Sequence, residues 1–120
     1  MVAETGSDGP PPHDVRTWIA DGITGLCVYN DDLALAVLSA ARRGGVDVPG
    51  ALALIGADDI PAGRFADPPL TTIAFELDSV CARIMGTISK DLGLAGPQLE
   101  LAGGRELAVR RRGTVGVRVS

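Results

Sequence analysis

Hydrophobic and polar positions along the chain follow two alternating periods. Short apolar runs, typical of buried strands, are followed by segments whose apolar residues repeat every three to four positions, as on one face of a helix. Because parallel strands need a crossover helix between them, this alternation predicts an α/β fold, a parallel sheet flanked by helices. The predicted strands and helices are, in chain order, Ile23 to Tyr29, Leu33 to Ala41, Ala51 to Ala57, Thr71 to Phe75 and Glu76 to Leu92.

The two ends of the chain carry other signals. Residues 1–13 are rich in glycine, proline and acidic side chains and are predicted to be disordered, the alternative being a segment draped over the surface. Asp14 is expected to cap a short helix directly after them. At the other end, two alternating segments flank a glycine pair and predict a C-terminal hairpin: Gln98 to Leu101, Gly103-Gly104 and Glu106 to Arg110.

Composition narrows the class of protein. The chain has 120 residues, 46% of them hydrophobic and 22% charged, which suits one folded domain. Its net charge of −4 argues against a free-standing nucleic-acid binder. Its apolar runs are shorter than the roughly 18 residues of a membrane helix, and its start lacks the pattern of a signal peptide. We therefore expect a cytoplasmic protein with no membrane partner, whose Cys27 and Cys81 are buried, reduced thiols.

Polar residues collect where two predicted strands end. Asn30, Asp31 and Asp32 follow the first strand, and Asp58 and Asp59 follow the second. In open α/β sheets ligands bind outside the carboxyl ends of the strands, so both groups are predicted to lie on the functional edge. Asp31 and Asp32 precede a helix and are expected to cap it, whereas no helical run follows Asp58 directly. An alternative is a magnesium-dependent α/β enzyme that uses Asp31, Asp32 and Asp58.

Catalysis has little support in the sequence. The chain contains no Gly-x-Ser-x-Gly motif and no glycine-rich phosphate loop, and its single histidine, His13, lies in the predicted disordered segment. The basic run Arg110-Arg111-Arg112 is interpreted as a solvated strand edge that discourages further pairing. The sequence therefore predicts a protein that is not an enzyme and uses no cofactor and no metal.

Four motifs occur in a fixed order along the chain: Asn30-Asp31, Gly45-Val46-Asp47-Val48-Pro49, Gly56-Ala57-Asp58-Asp59 and Pro68-Pro69-Leu70-Thr71-Thr72. This ordered set resembles the lactose/galactose-repressor (LacI/GalR) family of bacterial transcription regulators. The resemblance covers about Asp14 to Val115 and implies a type I periplasmic-binding-protein-like fold, of which this sequence would be the last part of the C-terminal lobe. Residues 14–120 are accordingly expected to be part of an effector-binding and dimerisation domain without a helix-turn-helix.

The resemblance also implies ligand-binding residues. Asn30 would hydrogen-bond hydroxyl groups of a sugar or nucleoside, and Asp58 would accept hydrogen bonds from the same effector. Two positions depart from the family pattern: Ala57 stands where an aromatic residue is usual, and Ala74 and Phe75 stand where a polar residue often reaches the ligand. The identity of the effector is therefore not carried over.

The remaining expectations concern partners. The helix from Leu33 and the loop around Phe65 match the family's dimer surface, so Leu35, Leu38 and Phe65 are predicted at a homodimer interface. The resemblance implies effector sensing for transcription regulation, with DNA bound only through a headpiece that this sequence lacks. The edge of the sheet is expected to be covered by self-association or strand exchange. A secreted sugar-binding protein of the same fold is the other alternative.

Overall fold

The computed structural model describes residues 9–94 and 107–116 of the chain. It divides into two compact units, the first formed by residues up to Ala74 together with those from Val109 onward, and the second by Phe75 to Ala108. The first unit carries the strands and helices around the predicted functional edge. The second unit carries one long helix.

A four-stranded sheet in the order β1-β2-β3-β4 runs through the fold. Strands β1, β2 and β3 pair in parallel, which confirms the predicted α/β architecture. β2 begins two residues later than predicted because the amides of Ala51 and Leu52 donate to the carbonyl of Asp47 and close a turn. β1 is also shorter than predicted. The strands are β1 (Gly25–Cys27), β2 (Ala53–Ala57), β3 (Thr71–Phe75) and β4 (Leu107–Arg110).

Four helical segments connect or precede the strands. The second helix is longer than its apolar stretch at both ends, because Asn30 caps its first turn and two arginines extend its last turn. The segments are α1 (Pro12–Ala20), α2 (Asp31–Arg43), a 3₁₀ helix (Pro61–Phe65) and α3 (Leu77–Asp91).

The start of the described chain corrects two expectations. Helix α1 has Pro11 at its N-cap position and Pro12 in its first turn, so Asp14 lies inside the helix and is not the cap. Pro10 is already buried. An added Cβ at Gly9 would meet the side chain of Ala36 in α2. Residues 9–13 are thus packed on the fold, and the prediction of disorder is wrong for them, while residues 1–8 lie outside the described residues.

The core of the first unit lies between α2 and the parallel strands. Leu26 of β1 stands level with Leu54 of β2, and both are buried. Helix α2 presents Ala34, Val37 and further alanines to them, and these small side chains let the helix approach the sheet closely. Three further large apolar side chains are fully buried, of which only the valine lies in α1: Leu52, Leu70 and Val15.

The cysteine prediction is wrong, because both thiols are exposed. Cys27 alternates with buried Leu26 along β1 and therefore points to the other face of the sheet, where Gly25 is exposed as well. Cys81 lies on α3, which buries none of its residues. An apolar neighbour in sequence therefore does not imply burial at either position.

The second unit contains helix α3, whose bounds lie within one residue of the prediction. Its apolar side chains, including Leu77, Ile84 and Ile88, are largely exposed. The predicted hairpin is described only in its second arm, which is β4, and its first arm lies outside the described residues. Among the helices described, none is long and apolar enough to span a membrane.

Substituting Gly56 with alanine should destabilise the fold, because an added Cβ would meet Oδ1 of Asp31 inside the core. We expect the free energy of unfolding in urea to fall by about 1–3 kcal/mol, the usual cost of overpacking. The matched control is Gly25→Ala in the neighbouring strand, where an added Cβ would meet nothing within 4 Å. Equal urea midpoints for the two variants would contradict this packing.

Candidate functional site

The two predicted ligand residues lie at the same level of the sheet. Cys27 of β1 stands opposite Ile55 of β2, and Asn30 and Asp58 each follow these partners by three residues. Because β1 and β2 are parallel neighbours, Asn30 and Asp58 follow the same carboxyl edge of the sheet at the same register. Both residues thus lie in the segments that leave the predicted functional edge.

Asn30 joins the sheet edge to helix α2. Its backbone is extended, with φ −149° and ψ 170°, and its Oδ1 accepts a hydrogen bond of 2.8 Å from the amide of Leu33. Asn30 is thus the cap that the sequence assigned to Asp31 and Asp32. The Nδ2 amino group carries the donor hydrogens of the side chain and can donate to a ligand while Oδ1 caps the helix.

Asp58 and Asp59 turn the chain away from β2 through left-handed backbone conformations. Their φ angles are 98° and 53°, which non-glycine residues adopt rarely and at some cost. The amide of Asp58 donates to the carbonyl of Ile73 over 2.9 Å, and Asp58 is exposed. The turn therefore presents a carboxylate, an acceptor of hydrogen bonds, at the open end of the sheet.

Asp31 has a structural role that the sequence did not indicate. It is fully buried, and its two carboxylate oxygens accept from the hydroxyl of Thr72 at 2.7 Å and the amide of Ile60 at 3.0 Å. Its oxygens are therefore committed within the protein and do not face a ligand. The magnesium alternative needs Asp31, Asp32 and Asp58 around one ion, and the described residues hold no group of three such side chains.

Three arginines lie around the carboxylate of Asp59. Arg112 donates to Oδ1 over 2.7 Å, while nitrogens of Arg64 and Arg110 lie 3.7 Å from Oδ2. The hydrogen bond from Arg112 lowers the pKa of Asp59 most; burial opposes that shift, and the charges of all three arginines add to it. Arg112 also donates to the carbonyl of Leu70. The prediction of a solvated strand edge is thus wrong for Arg112, which ties the end of the chain to the loop after β2.

The predicted interface residues lie in different environments. Phe65 ends the 3₁₀ helix with 84% of its surface exposed. Leu35 on α2 is half-buried and packs against the core. Leu38 is 4% exposed and belongs to the core of its own chain. Leu38 therefore has little surface to offer to a second chain.

The two departures from the family pattern differ in position. Ala57 closes β2 and is half-buried directly before Asp58. Ala74 is 4% exposed, so it belongs to the interior, whereas Phe75 is 49% exposed.

Sequence reasoning missed two residues that build the edge. Thr72 is buried in β3 and bonds to both Asp31 and the amide of Asp59, and Arg112 holds Asp59 from the far end of the chain. Two adjacent threonines at the start of a short buried strand were a signal in the sequence that Thr72 makes a hydrogen bond, because a buried hydroxyl needs a partner. The pairing of Arg112 with Asp59 spans 53 positions and leaves no local pattern.

Comparisons with known proteins agree on one family. A model of the periplasmic binding protein-like domain matches residues 3–111. The HTH-type transcriptional regulator GalS of Salmonella typhimurium is 38% identical over 74 residues, which cover 62% of this chain and 20% of that protein. The HTH-type transcriptional repressor CytR of Escherichia coli K12 is 49% identical over 51 residues, which cover 42% and 15%. The chain thus spans about a fifth of the length of curated relatives such as GalS.

A solved structure shows the same likeness in three dimensions. The LacI family transcriptional regulator from Lactobacillus casei with bound glucose is 28% identical, with a TM-score of 0.61. The match covers 77% of this chain and 32% of that one.

The ion pair of Asp59 should make stability depend on pH. Because the folded pKa lies below the ordinary value of 3.8, the stabilisation is complete above that value and is lost as the pH falls through the folded pKa. We expect Asp59→Asn to lower the free energy of unfolding at pH 7 by about 1–3 kcal/mol. The difference in free energy of unfolding between Asp59→Asn and the unmodified chain should become smaller below about pH 4.

The control for this pair is Asp67→Asn. Asp67 lies 3.1 Å from Arg42, but the side chains are 80% and 59% exposed, so removing the pair should change stability little at any pH. Chemical denaturation from pH 2.5 to 7 measures both variants. A gap between Asp59→Asn and the unmodified chain that stays constant over this range would contradict the assignment.

Proposed function

Since the chain belongs to the periplasmic binding protein-like domain family, as the effector-binding domain of a LacI-type regulator, we propose that it senses a sugar or nucleoside through Asn30 and Asp58. The observation that supports this proposal is the register of β1 and β2, since Asn30 and Asp58 each follow a paired residue of these neighbouring strands by three positions. Ligands of open α/β sheets bind at that edge.

The chemistry of the pair suits a neutral polyol. A sugar hydroxyl both donates and accepts a hydrogen bond. The Asp58 carboxylate accepts from hydroxyl groups, and the Asn30 amino group donates to them, since Oδ1 of Asn30 is already bonded to Leu33. A ligand with two neighbouring hydroxyls satisfies both residues at once.

The relatives support the class of ligand. The Lactobacillus casei regulator holds glucose in its crystal structure. Because Ala57 provides no ring on which a sugar could stack, recognition in this chain depends on polar contacts to a greater degree. The relatives are named as transcriptional regulators, which supports a sensing role in the cytoplasm and no enzymatic activity.

We further propose that a second copy of the chain is a partner. Phe65 stands exposed at the end of the 3₁₀ helix, and Leu35 is half-exposed on α2, so both retain apolar surface. Effector binding would then shift the population of dimers that a DNA-binding headpiece outside these residues can use. DNA is a partner only through that headpiece.

A panel of glucose, sucrose, nucleosides and Mg²⁺ tests the sensing proposal by thermal unfolding. We expect one class of sugar or nucleoside to raise Tm, because binding to the folded state alone stabilises it by about 2.7 kcal/mol at a hundredfold excess over Kd. Asp58→Ala should abolish the rise. Magnesium should leave Tm unchanged.

The matched control is Asp32→Ala, which removes an exposed carboxylate of the same polar segment and should keep the response to the ligand. An equal rise in Asp58→Ala and in the unmodified chain would overturn the assignment of Asp58. Protection by magnesium would favour the enzyme alternative instead.

Phe65→Glu tests the dimer proposal. A charge at the centre of an apolar interface must be desolvated, so we expect the dimer dissociation constant to rise at least about a hundredfold. Analytical ultracentrifugation over a range of micromolar concentrations measures it. Tyr29→Glu is the control, since Tyr29 is also 84% exposed but lies outside the predicted interface. A monomeric unmodified chain would refute the proposal.

A further inference from the structure

Asp31 is fully buried directly after the proposed ligand residue Asn30, and the proposed binding chemistry does not use it. We infer that Asp31 and Thr72 are positioning residues, which hold Asp58 in the geometry that binds the effector. This inference rests on the proposed function. It assigns no ligand contact to either residue.

A short relay of hydrogen bonds connects α2 with the turn after β2. The amide of Asp59 donates to Oγ1 of Thr72 over 3.3 Å, and the Thr72 hydroxyl donates to Oδ1 of Asp31 over 2.7 Å. The amide of Ile60 donates to the other oxygen, Oδ2, over 3.0 Å. One carboxylate therefore fixes two consecutive residues of the turn, directly after Asp58.

The turn requires such an external restraint. Asp58 and Asp59 both have left-handed backbone conformations, which residues with a side chain adopt at a cost in free energy. Conformations of this kind persist only where the surrounding structure imposes them. The three hydrogen bonds of the relay, together with the pair between Asp59 and Arg112, supply that restraint.

Packing holds the carboxylate itself in place. Asp31 and Thr72 are both fully buried. Gly56 and Gly63 leave the space around the carboxylate, since an added Cβ at Gly56 would meet Oδ1 and one at Gly63 would lie 3.8 Å from Oδ2. A carboxylate confined in this way has one position, so it can define the position of what it binds.

The same residue also sets the other half of the site. Asp31 is the first residue of α2, directly after Asn30, whose side chain caps that helix. The backbone that carries Asn30 and the turn that carries Asp58 are thus joined through a single side chain. Because binding sites need their contact groups within about 0.5 Å, loosening this joint should weaken binding without removing a ligand contact.

The experiment compares two neighbouring threonines of β3. Thr72→Val removes the relay hydroxyl at nearly constant volume. Thr71→Val is the matched control, because Thr71 is also buried but accepts from the backbone amide of Arg112, whereas the guanidinium of Arg112 is the group that holds Asp59. Thr72→Ser keeps the hydroxyl and should restore the behaviour of the unmodified chain.

Two measurements are made on each variant. Amide hydrogen exchange of the ligand-free chain should accelerate at least about tenfold at Asp59 and Ile60 in Thr72→Val, relative to amides of α2, a factor that corresponds to about 1.4 kcal/mol. In Thr71→Val these two amides should follow the rest of the chain. The Kd for whichever of glucose, sucrose and the nucleosides binds the unmodified chain should rise at least about tenfold in Thr72→Val only.

The outcomes separate this inference from the proposed function. Equal exchange profiles for the two valine variants would overturn the relay, whether or not any ligand binds. If the amides of Asp59 and Ile60 exchange faster in Thr72→Val but the Kd of this variant equals that of Thr71→Val, the positioning role is overturned and the proposed function still holds. An unmodified chain that binds none of glucose, sucrose and nucleosides would refute the proposed function, while hydrogen exchange would still decide whether the relay fixes the turn.

Discussion

The buried carboxylate of Asp31 is the interaction on which the carboxyl edge of the sheet depends. It has no exposed surface, so both of its oxygens must be satisfied by the protein. The hydroxyl of Thr72 and the amide of Ile60 satisfy them and thereby join β3, the turn after β2 and the start of α2. A carboxylate that needs two donors in a confined space allows these three segments a single arrangement. Asn30 directly precedes this carboxylate in the chain, and Asp58 directly precedes the part of the turn that it fixes.

A second set of polar contacts closes the sheet from the C-terminal side. Thr114 is buried, donates to the carbonyl of Leu54 over 2.7 Å and accepts from the amide of Thr71 over 2.8 Å. Arg112 holds Asp59 and the carbonyl of Leu70. These contacts join positions 42 to 60 residues apart around an aliphatic core. Burial of apolar side chains makes the core stable, and the polar contacts decide where the turns of the edge lie.

The architecture was predictable because it depends on local periods. Buried strand runs and helical repeats are properties of neighbouring residues, and the parallel order of β1, β2 and β3 follows from their alternation with helices. The roles of single polar residues were less predictable, because they depend on partners distant in sequence. Asn30 and Asp31 are adjacent and both suit a helix start, but Asn30 caps the helix while Asp31 accepts from two donors distant in sequence, Thr72 and Ile60. Cys27 was misjudged for a similar reason, since an apolar run does not show which face of a sheet is covered.

Asn30 and Asp58 are proposed to form the binding edge for a polyol effector. Titration of the ¹⁵N-labelled chain with glucose, sucrose and nucleosides tests this role most directly. We predict that one ligand shifts the side-chain amide signal of Asn30 and the backbone signals of Asp58 and Asp59 together, with one saturation curve. Signals of α3 should stay unchanged. Saturable shifts confined to α3, or no saturable shift with any of these ligands, would contradict the account.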